Sequence, residues 1–472
     1  MTSDSSEHLL GFNLIGHISG NLGLGASARQ VAQLLLEKGH PVSILDTDPG
    51  RNRAGYDRTF DAYTVKTPTD LRHRINLAIL TPHAAPQFFL NPPNIEARED
   101  VLEPGHAYWL TDDRLNVAII WWELTVIPKA WVAALELFDV VVAMSPFIRA
   151  TLEEHLSNVI IIPAIHPYSL PTGIAACRER FGLQDDVVLF ATSFEPLSDT
   201  ERKNPFAAIE AFQCAFGKDD PVNLIVKLHN AESLDSLIGP AVSKLNAACA
   251  GDNRIRIINE TFSHRDVLSL YASCDVFVSL HRSEGLGFGL MEAMALGKPV
   301  IATGWSGNLA YMDHTNSALV SYNLIPAHGT LAAYTTELQG EAPIWADPKI
   351  SDAIAWMQKL ANDADYRIAL GQNASAAMAR LQREARSAKF VDEICAISKS
   401  ASFLPQRTQQ EKLSRVQSLQ HAWSRHQYSM LSYSQRTARM FHRSQEWIRP
   451  FSRRTIRNIR RLADRHVLWR FR

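Results

Sequence analysis

Short apolar runs recur along the first four hundred residues, separated by polar stretches that carry glycine and proline. Residues 12–18, 41–45, 75–80, 117–122 and 140–144 are such runs, as are 187–191, 224–228, 255–258, 276–280 and 300–302. They have the length of buried strands rather than of helices. Between them, segments such as 30–38, 206–216, 264–271 and 290–296 predict helices from apolar residues three and four apart. Strand and helix alternate, so the sheets are predicted to be parallel, with helices on both faces. A proline-punctuated stretch over 160–171 splits the alternation into two halves. Further helices are predicted over 350–360, 365–381 and 389–397. The expected organisation is a first α/β unit over 1–170, a second over 171–385, a connecting helix within 386–400, and a different segment over 401–472.

Charge sets that last segment apart. Residues 401–472 hold sixteen Lys and Arg against three acids (Glu411, Glu446 and Asp464), a net of +13. The first 400 residues are then −14 in a chain whose net charge is −1. Apolar residues recur there mostly every three or four positions, with Trp423, Trp447 and Trp469 among them, which predicts basic amphipathic helices. From 409 onward such helices suit an anionic membrane surface. A protein partner or self-packing is the alternative. No RNA- or DNA-binding motif is present, so a nucleic-acid partner is not expected.

No run approaches the ~18 apolar residues of a membrane span. The start, MTSDSSEH, lacks the basic and apolar pattern of a secretory signal. Five scattered cysteines with no C-x-x-C spacing suit buried free thiols in a reducing compartment. The expectation is a cytoplasmic protein, peripheral at the inner face of the membrane if the basic segment docks there.

The candidate chemistry concentrates in 283–313, SEGLGFGLMEAMALGKPVIATGWSGNLAYMD. Glu284 and Glu292 bracket a turn that holds Gly285, Gly287 and Gly289 and runs into a helix. Glycine permits positive φ and close approach to a ligand. The first-turn amides of the helix and its dipole favour an anion. The stretch therefore offers a phosphate or diphosphate site. Glu292, one turn into the helix, is placed to accept hydrogen bonds from vicinal hydroxyls, as the acid of a dinucleotide fold does with ribose. Spacing alone leaves an ordinary strand–turn–helix with two surface glutamates as the alternative.

Other candidates sit where strands end. His83 follows the 75–80 run, and a structural histidine is the competing reading. Glu123 follows Trp121 and Trp122 and either faces a cleft between the halves or favours a helix start. Arg202 and Lys203 precede a helix opened by Pro205, where a cation pair would clamp a diphosphate; a solvated loop charge is the alternative for Arg202. Near the start, Gly23-x-Gly25-x-x-Ala28 with Asp46 closing the next strand fits a dinucleotide fingerprint and admits an NAD-dependent oxidoreductase. Arg29 reads equally as an anion ligand or a solvated helix residue. No D-x-D metal clamp and no zinc spacing is present.

The pair of acids within SEGLGFGLMEAMALGKPVIAT resembles the donor-site motif of the retaining GT-B glycosyltransferases of family 4, the glycosyl transferases group 1. WWE at 121–123, Pro128 with Trp131, FDVVVAMSPF, RKNP at 202–205 and IWADP at 344–348 are similar to one bacterial branch of it. The resemblance spans residues 10–397. It implies two Rossmann-like domains facing a cleft, and a last helix that packs back on the first domain. It also implies transfer of a sugar from a nucleoside-diphosphate sugar, with retention, to a glycan or lipid-linked acceptor in cell-surface polysaccharide assembly; the missing D-x-D clamp predicts that no metal is needed, and no other cofactor is expected. By resemblance Glu284 faces the transferred sugar, Glu292 the ribose and Lys203 the diphosphate. Arg202 is the second cation, since Pro196 and Leu197 stand where many relatives carry a G-R sequence. Gly285, Gly287, Phe288, Gly289 and Leu290 complete the donor site, and Gly23 and Gly25 form a loop closing on it. From their strand-end positions rather than from the resemblance, Glu123 is expected to contact the acceptor or the transferred sugar, and His83 is a further catalytic candidate of the first domain.

Overall fold

The computed structural model describes residues 10–47, 57–90, 114–228, 235–329 and 343–400, with Ser414, Ser418 and Leu419 beyond them. The basic segment thus lies outside the described residues apart from those three, of which Leu419 is buried in the larger apolar core.

The first domain alternates β1 (Phe12–Gly16), α1 (Gly23–Glu37), β2 (Val42–Asp46), β3 (Thr64–Val65), β4 (Ile75–Leu80), α2 (Ala85–Leu90), β5 (Leu115–Ile120), α3 (Lys129–Leu135), β6 (Val140–Ala143), α4 (Pro146–His155) and β7 (Ile160–Pro163). Its seven parallel strands lie in the order β3-β2-β1-β4-β5-β6-β7. β1, β4, β5 and β6 are buried at every position, as expected of parallel strands covered on both faces. That is why their sequences are unbroken apolar runs. The polar exceptions, Asn13, Asn76 and Asn116, share one register row and bond to each other at 2.9 Å, which satisfies their buried amides.

The second domain runs β8 (Val188–Phe194), α5 (Thr200–Lys203), α6 (Pro205–Ala215), β9 (Val222–Leu228), α7 (Asp235–Cys249), β10 (Ile255–Asn259), α8 (His264–Ser273), β11 (Val276–Ser279), α9 (Phe288–Ala295), β12 (Val300–Thr303) and β13 (Ala318–Val320). The parallel order is β10-β9-β8-β11-β12-β13. Both sheets therefore reverse direction beside their first strand, β1/β4 in one and β8/β11 in the other. Ligands of open α/β sheets bind at that switch point, outside the carboxyl ends of the strands.

An antiparallel pair, β14 (Tyr322–Pro326) and β15 (Ile344–Pro348), is an element the apolar pattern did not predict. Then α10 (Ile350–Asn362) packs on α6, α11 (Ala364–Ala385) packs on α9, and α12 (Lys389–Lys399) reaches back to β7 of the first domain. The cysteines are free, but Cys177 and Cys214 are exposed rather than buried. Cys214 falls on the solvent side of α6, whose apolar face is formed by Ala207, Ala208, Ala211, Phe212 and Ala215.

Candidate active site between the two domains

The cation pair is set by a strained turn. Asp199, at φ +72°, accepts from the amides of Glu201 and Arg202 and starts α5, while Asn204, at φ +50°, ends it. Asn and Asp are among the residues that tolerate this left-handed region best. The Asn204 amide donates to Leu280 O at 3.0 Å, and Arg282 N donates to Arg202 O at 2.8 Å. The turn is thereby tied to the end of β11, and its two cations are carried to Glu284.

Lys203 Nζ lies 2.5 Å from Glu284 Oε1, and an Arg202 Nη1 lies 3.5 Å from Glu284 Oε2. Arg202 also donates to Ser198 O and Ser283 O and approaches Glu123 of the first domain at 3.8 Å. It is 2% exposed, so it is a buried bridge and not a solvated loop charge. Burial pushes the Glu284 carboxyl up, but Lys203, Arg202 and His281 outweigh it and hold the pKa at about 2. Glu284 is therefore an anion at neutral pH.

The glycine turn has two faces. Glu284 O accepts from Gly307 N and Gly285 O from Ser145 Oγ, while Leu286 O and Gly287 O both accept from the Tyr311 hydroxyl. In a trans peptide the N–H opposes the C=O of the same plane. The amides of Gly285, Leu286, Gly287 and Phe288 therefore point away from these partners. Gly287 sits at φ +87° and caps α9, a conformation that glycine adopts at little cost. A Cβ on Gly307 would stand 1.9 Å from Gly285 O, so two glycines let these loops touch. On the carbonyl side lies a cavity of about 400 Å³ walled by both chain crossings, 163–166 and 385–390. Lys203, Arg202, Glu284 and Glu292 do not line it, so it is distinct from the cluster of charges.

Glu292, one turn into α9, is buried and paired with His264 Nε2 at 2.8 Å. Tyr168, Tyr271 and Tyr311 feel its charge, so it faces inward rather than solvent. Phe288, on the same side of α9, packs against Trp121 and His166 of the first domain, with ring centroids 5.4 and 5.0 Å apart. Gly289 and Leu290 follow it into the helix, where Leu290 is buried. Ser283 Oγ donates to Glu123 O at 2.5 Å.

His83 stands at the end of β4, 5.9 Å from the Trp131 ring. Loss of hydration lowers its pKa, against the pull of Glu123. The structure thus brings Glu123 and His83 to the same strand ends and sets Glu123 opposite Arg202.

The glycines near the start behave differently from the expectation of a loop. α1 begins at Gly23, so both lie inside a helix. A Cβ on Gly25 would stand 2.0 Å from Gly20 O, so Gly25 is needed for the helix to meet the preceding turn, whereas Gly23 faces Phe288. Asp46 accepts from Ser19 Oγ, an occupation at odds with holding a dinucleotide ribose. Arg29 is neither solvated nor open to an anion. It donates to Ile18 O and Gly20 O and pairs with Asp57 at 3.2 Å.

His264, Tyr311, Ser145 and Ser283 were not singled out from sequence. His264 stands just after Ser263, whose hydroxyl accepts from Asp266 N and caps the helix; the other three depend on contacts between distant segments. Among the described residues, no three His, Cys, Asp or Glu side chains cluster as a metal site needs. No described helix is long and apolar enough to cross a membrane.

Residues 227–334, which contain β11, the glycine turn and α9, match the family described as glycosyl transferases group 1. The described residues have the GT-B fold. Sucrose-phosphate synthase from Thermosynechococcus elongatus superposes with a TM-score of 0.55 at 15% identity, over 82% of this chain and 99% of that one. Anabaena HepE, solved in complex with UDP and glucose, gives 0.52 at 13% identity over 81% and 100%. The α,α-trehalose 6-phosphate synthase of Burkholderia multivorans gives 0.53 at 11% over 85% and 99%. No curated protein matches the sequence. Within the group 1 domain, Glu284 and Glu292 are both buried.

Proposed function

We propose that the protein is a glycosyltransferase that draws a sugar from a nucleoside-diphosphate sugar held between the two domains. The observation that carries this is the buried cluster of Lys203, Arg202 and Glu284 beside the glycine turn of the group 1 domain, facing Glu123 across the junction. As the sugar–phosphate bond breaks, negative charge grows on the departing diphosphate. Lys203, Arg202, the amides of Gly285 to Phe288 and the N-terminus of α9 are fixed donors for that charge, aimed before the reaction begins. No protein-held metal enters this scheme. Glu284 positions the sugar, Glu292 takes the ribose hydroxyls, and Glu123 with His83 meets the acceptor. Gly23 borders the site from α1.

Retention at the anomeric carbon, a hexosyl donor, and a glycan or lipid-linked acceptor in cell-surface polysaccharide assembly complete the reading, on the resemblance of the 283–303 motif. The protein would work in the cytoplasm, with residues 409–472 holding it to an anionic membrane surface or a partner protein. Sedimentation with anionic liposomes, with and without 409–472, tests the membrane role; equal binding by both removes it.

The test of the main reading is a binding panel of UDP-, GDP- and ADP-sugars against NAD, followed by mass detection of transfer or donor hydrolysis. Saturable binding of one nucleotide-sugar with turnover supports the reading. Binding of NAD alone sinks it, and binding without turnover leaves a sugar-nucleotide-binding protein.

A further inference from the structure

His264 opens α8, whose first turn is fixed by the Ser263 cap. Its imidazole meets Glu292 on α9 at 2.8 Å, and the charges of Arg29 and Asp57 in the first domain, which pair at 3.2 Å, reach it. Tyr168, Tyr271 and Tyr311 lie within reach of Glu292. The Tyr168 hydroxyl is buried with no hydrogen-bond partner among the described residues. Buried hydroxyls are seldom left so, which points to a polar partner beside Glu292.

A carboxylate that clasps a diol needs one oxygen anchored, or it rotates. On the reading of Glu292 as the ribose acid, we infer that His264 is its positioning residue: it grips Oε1 so that the rest of the carboxylate is presented to the vicinal hydroxyls, and it contributes a positive charge near an anionic donor. Two properties follow. The first is geometric, since a neutral Nε2–H can also hold Oε1. The second is electrostatic and belongs to the imidazolium alone.

Burial lowers the His264 pKa, but the bond to Glu292 and the Glu292 charge, with Asp57 in support and Arg29 opposed, leave it raised above 6.5. The folded value being raised, the ion pair is complete below 6.5 and is lost as pH rises through the folded value. An anionic nucleotide raises it further by linkage. Affinity for the donor nucleotide therefore falls as pH rises above neutrality.

The test is calorimetric titration of the full chain with UDP and GDP at pH 6 and pH 8.5, each compared with its 2′,3′-dideoxy form. Wild type, His264→Ala and His264→Gln are measured, and the ratio of wild type to variant cancels the nucleotide's own titration. Losing the charge-assisted part of one hydrogen bond is about tenfold in affinity. His264→Ala is expected to bind at least about tenfold more weakly than wild type at pH 6, and the gap should shrink by about tenfold by pH 8.5, leaving the part that comes from the lost anchor of Oε1. It should also lose most of the preference for the diol, while His264→Gln keeps the preference but not the pH dependence. If His264→Ala retains both the wild-type diol preference and the wild-type pH profile, the inference is overturned and the glycosyl-transfer reading stands. If wild type binds neither nucleotide and does not bind ADP either, both fall.

Discussion

Glu284→Gln separates the electrostatic role of this carboxylate from its shape. The side chain keeps its size while the charge that faces Lys203 at 2.5 Å and Arg202 at 3.5 Å disappears. The folded pKa is about 2 against an ordinary 4.5, a gap that corresponds to on the order of 3 kcal/mol of stability at neutral pH. Because the folded value is depressed, this contribution is complete above 4.5 and disappears as pH falls through about 2. Urea unfolding of wild type and variant at pH 7, 5, 4 and 3 should show a gap of about 3 kcal/mol at the two higher values that narrows below pH 4. A gap of the same size at pH 3 and pH 7, or none at pH 7, would refute the argument. The variant has a second signature. In the wild type the carboxylate occupies the ammonium that a diphosphate needs, so Glu284→Gln should bind UDP or GDP at least as tightly as wild type while turnover falls. Weaker nucleotide binding would mean that the cations are organised by the acid and are not in competition for it.

Lys203→Met should weaken nucleoside-diphosphate binding by about 10- to 100-fold, the worth of one charge-assisted hydrogen bond; unchanged affinity by calorimetry counts against the placement of the diphosphate. Gly307→Ala puts a methyl 1.9 Å from Gly285 O. The forced shift should cost about 1–3 kcal/mol in thermal unfolding and reduce nucleotide affinity with it; an unshifted Tm would show that the loops do not touch as described. Ser145→Ala removes both the cap of α4 and the bond to Gly285 O, about 1–2 kcal/mol in unfolding, and a loss confined to the first domain would show that the bond between domains contributes nothing.

The sheets and the stretch 283–303 were legible because each rests on local chemistry. Unbroken apolar runs such as VVVA at 140–143 can only be strands covered on both faces, and a glycine turn before LMEAMA can only open a helix. The N-terminal glycines were ambiguous for a physical reason. Gly25 permits close approach, here of the backbone of His17 and Gly20, and sequence does not say whether a glycine serves such a contact or a ligand. The short β13 and the β14–β15 pair were missed because a three-residue strand and a half-exposed hairpin carry little periodicity. Arg202 was ambiguous for another reason. A guanidinium is held at 2% exposure only by carbonyls and carboxylates that arrive from residues 123, 198 and 283–284. The His264–Glu292 pair, 28 residues apart in sequence, depends on how α8 packs on α9.

The same peptides that face the proposed donor also dock the two domains. Ser145 Oγ accepts from Ile148 N, which starts α4, and donates to Gly285 O; one hydroxyl thus joins the first domain's helix to the second domain's turn. Ser283 Oγ makes the reverse connection to Glu123 O. Because carbonyl and amide share a rigid plane, fixing the carbonyls of Gly285, Leu286 and Gly287 by Ser145 and Tyr311 fixes the direction of the amides opposite. Parting the domains breaks the Ser145 and Ser283 bonds but not those from Tyr311 and Gly307, which belong to the second domain. The amides of Gly285, Gly287 and Phe288 then keep their aim in the open state, as does the 283–284 peptide, held by Arg202 and Ser306, whereas Leu286 N–H gains its own only on closure. Donor capture and closure are therefore separable along this turn: both of its ends are ready for the proposed diphosphate before the cleft shuts, and only the Gly285–Leu286 peptide between them is completed by the first domain.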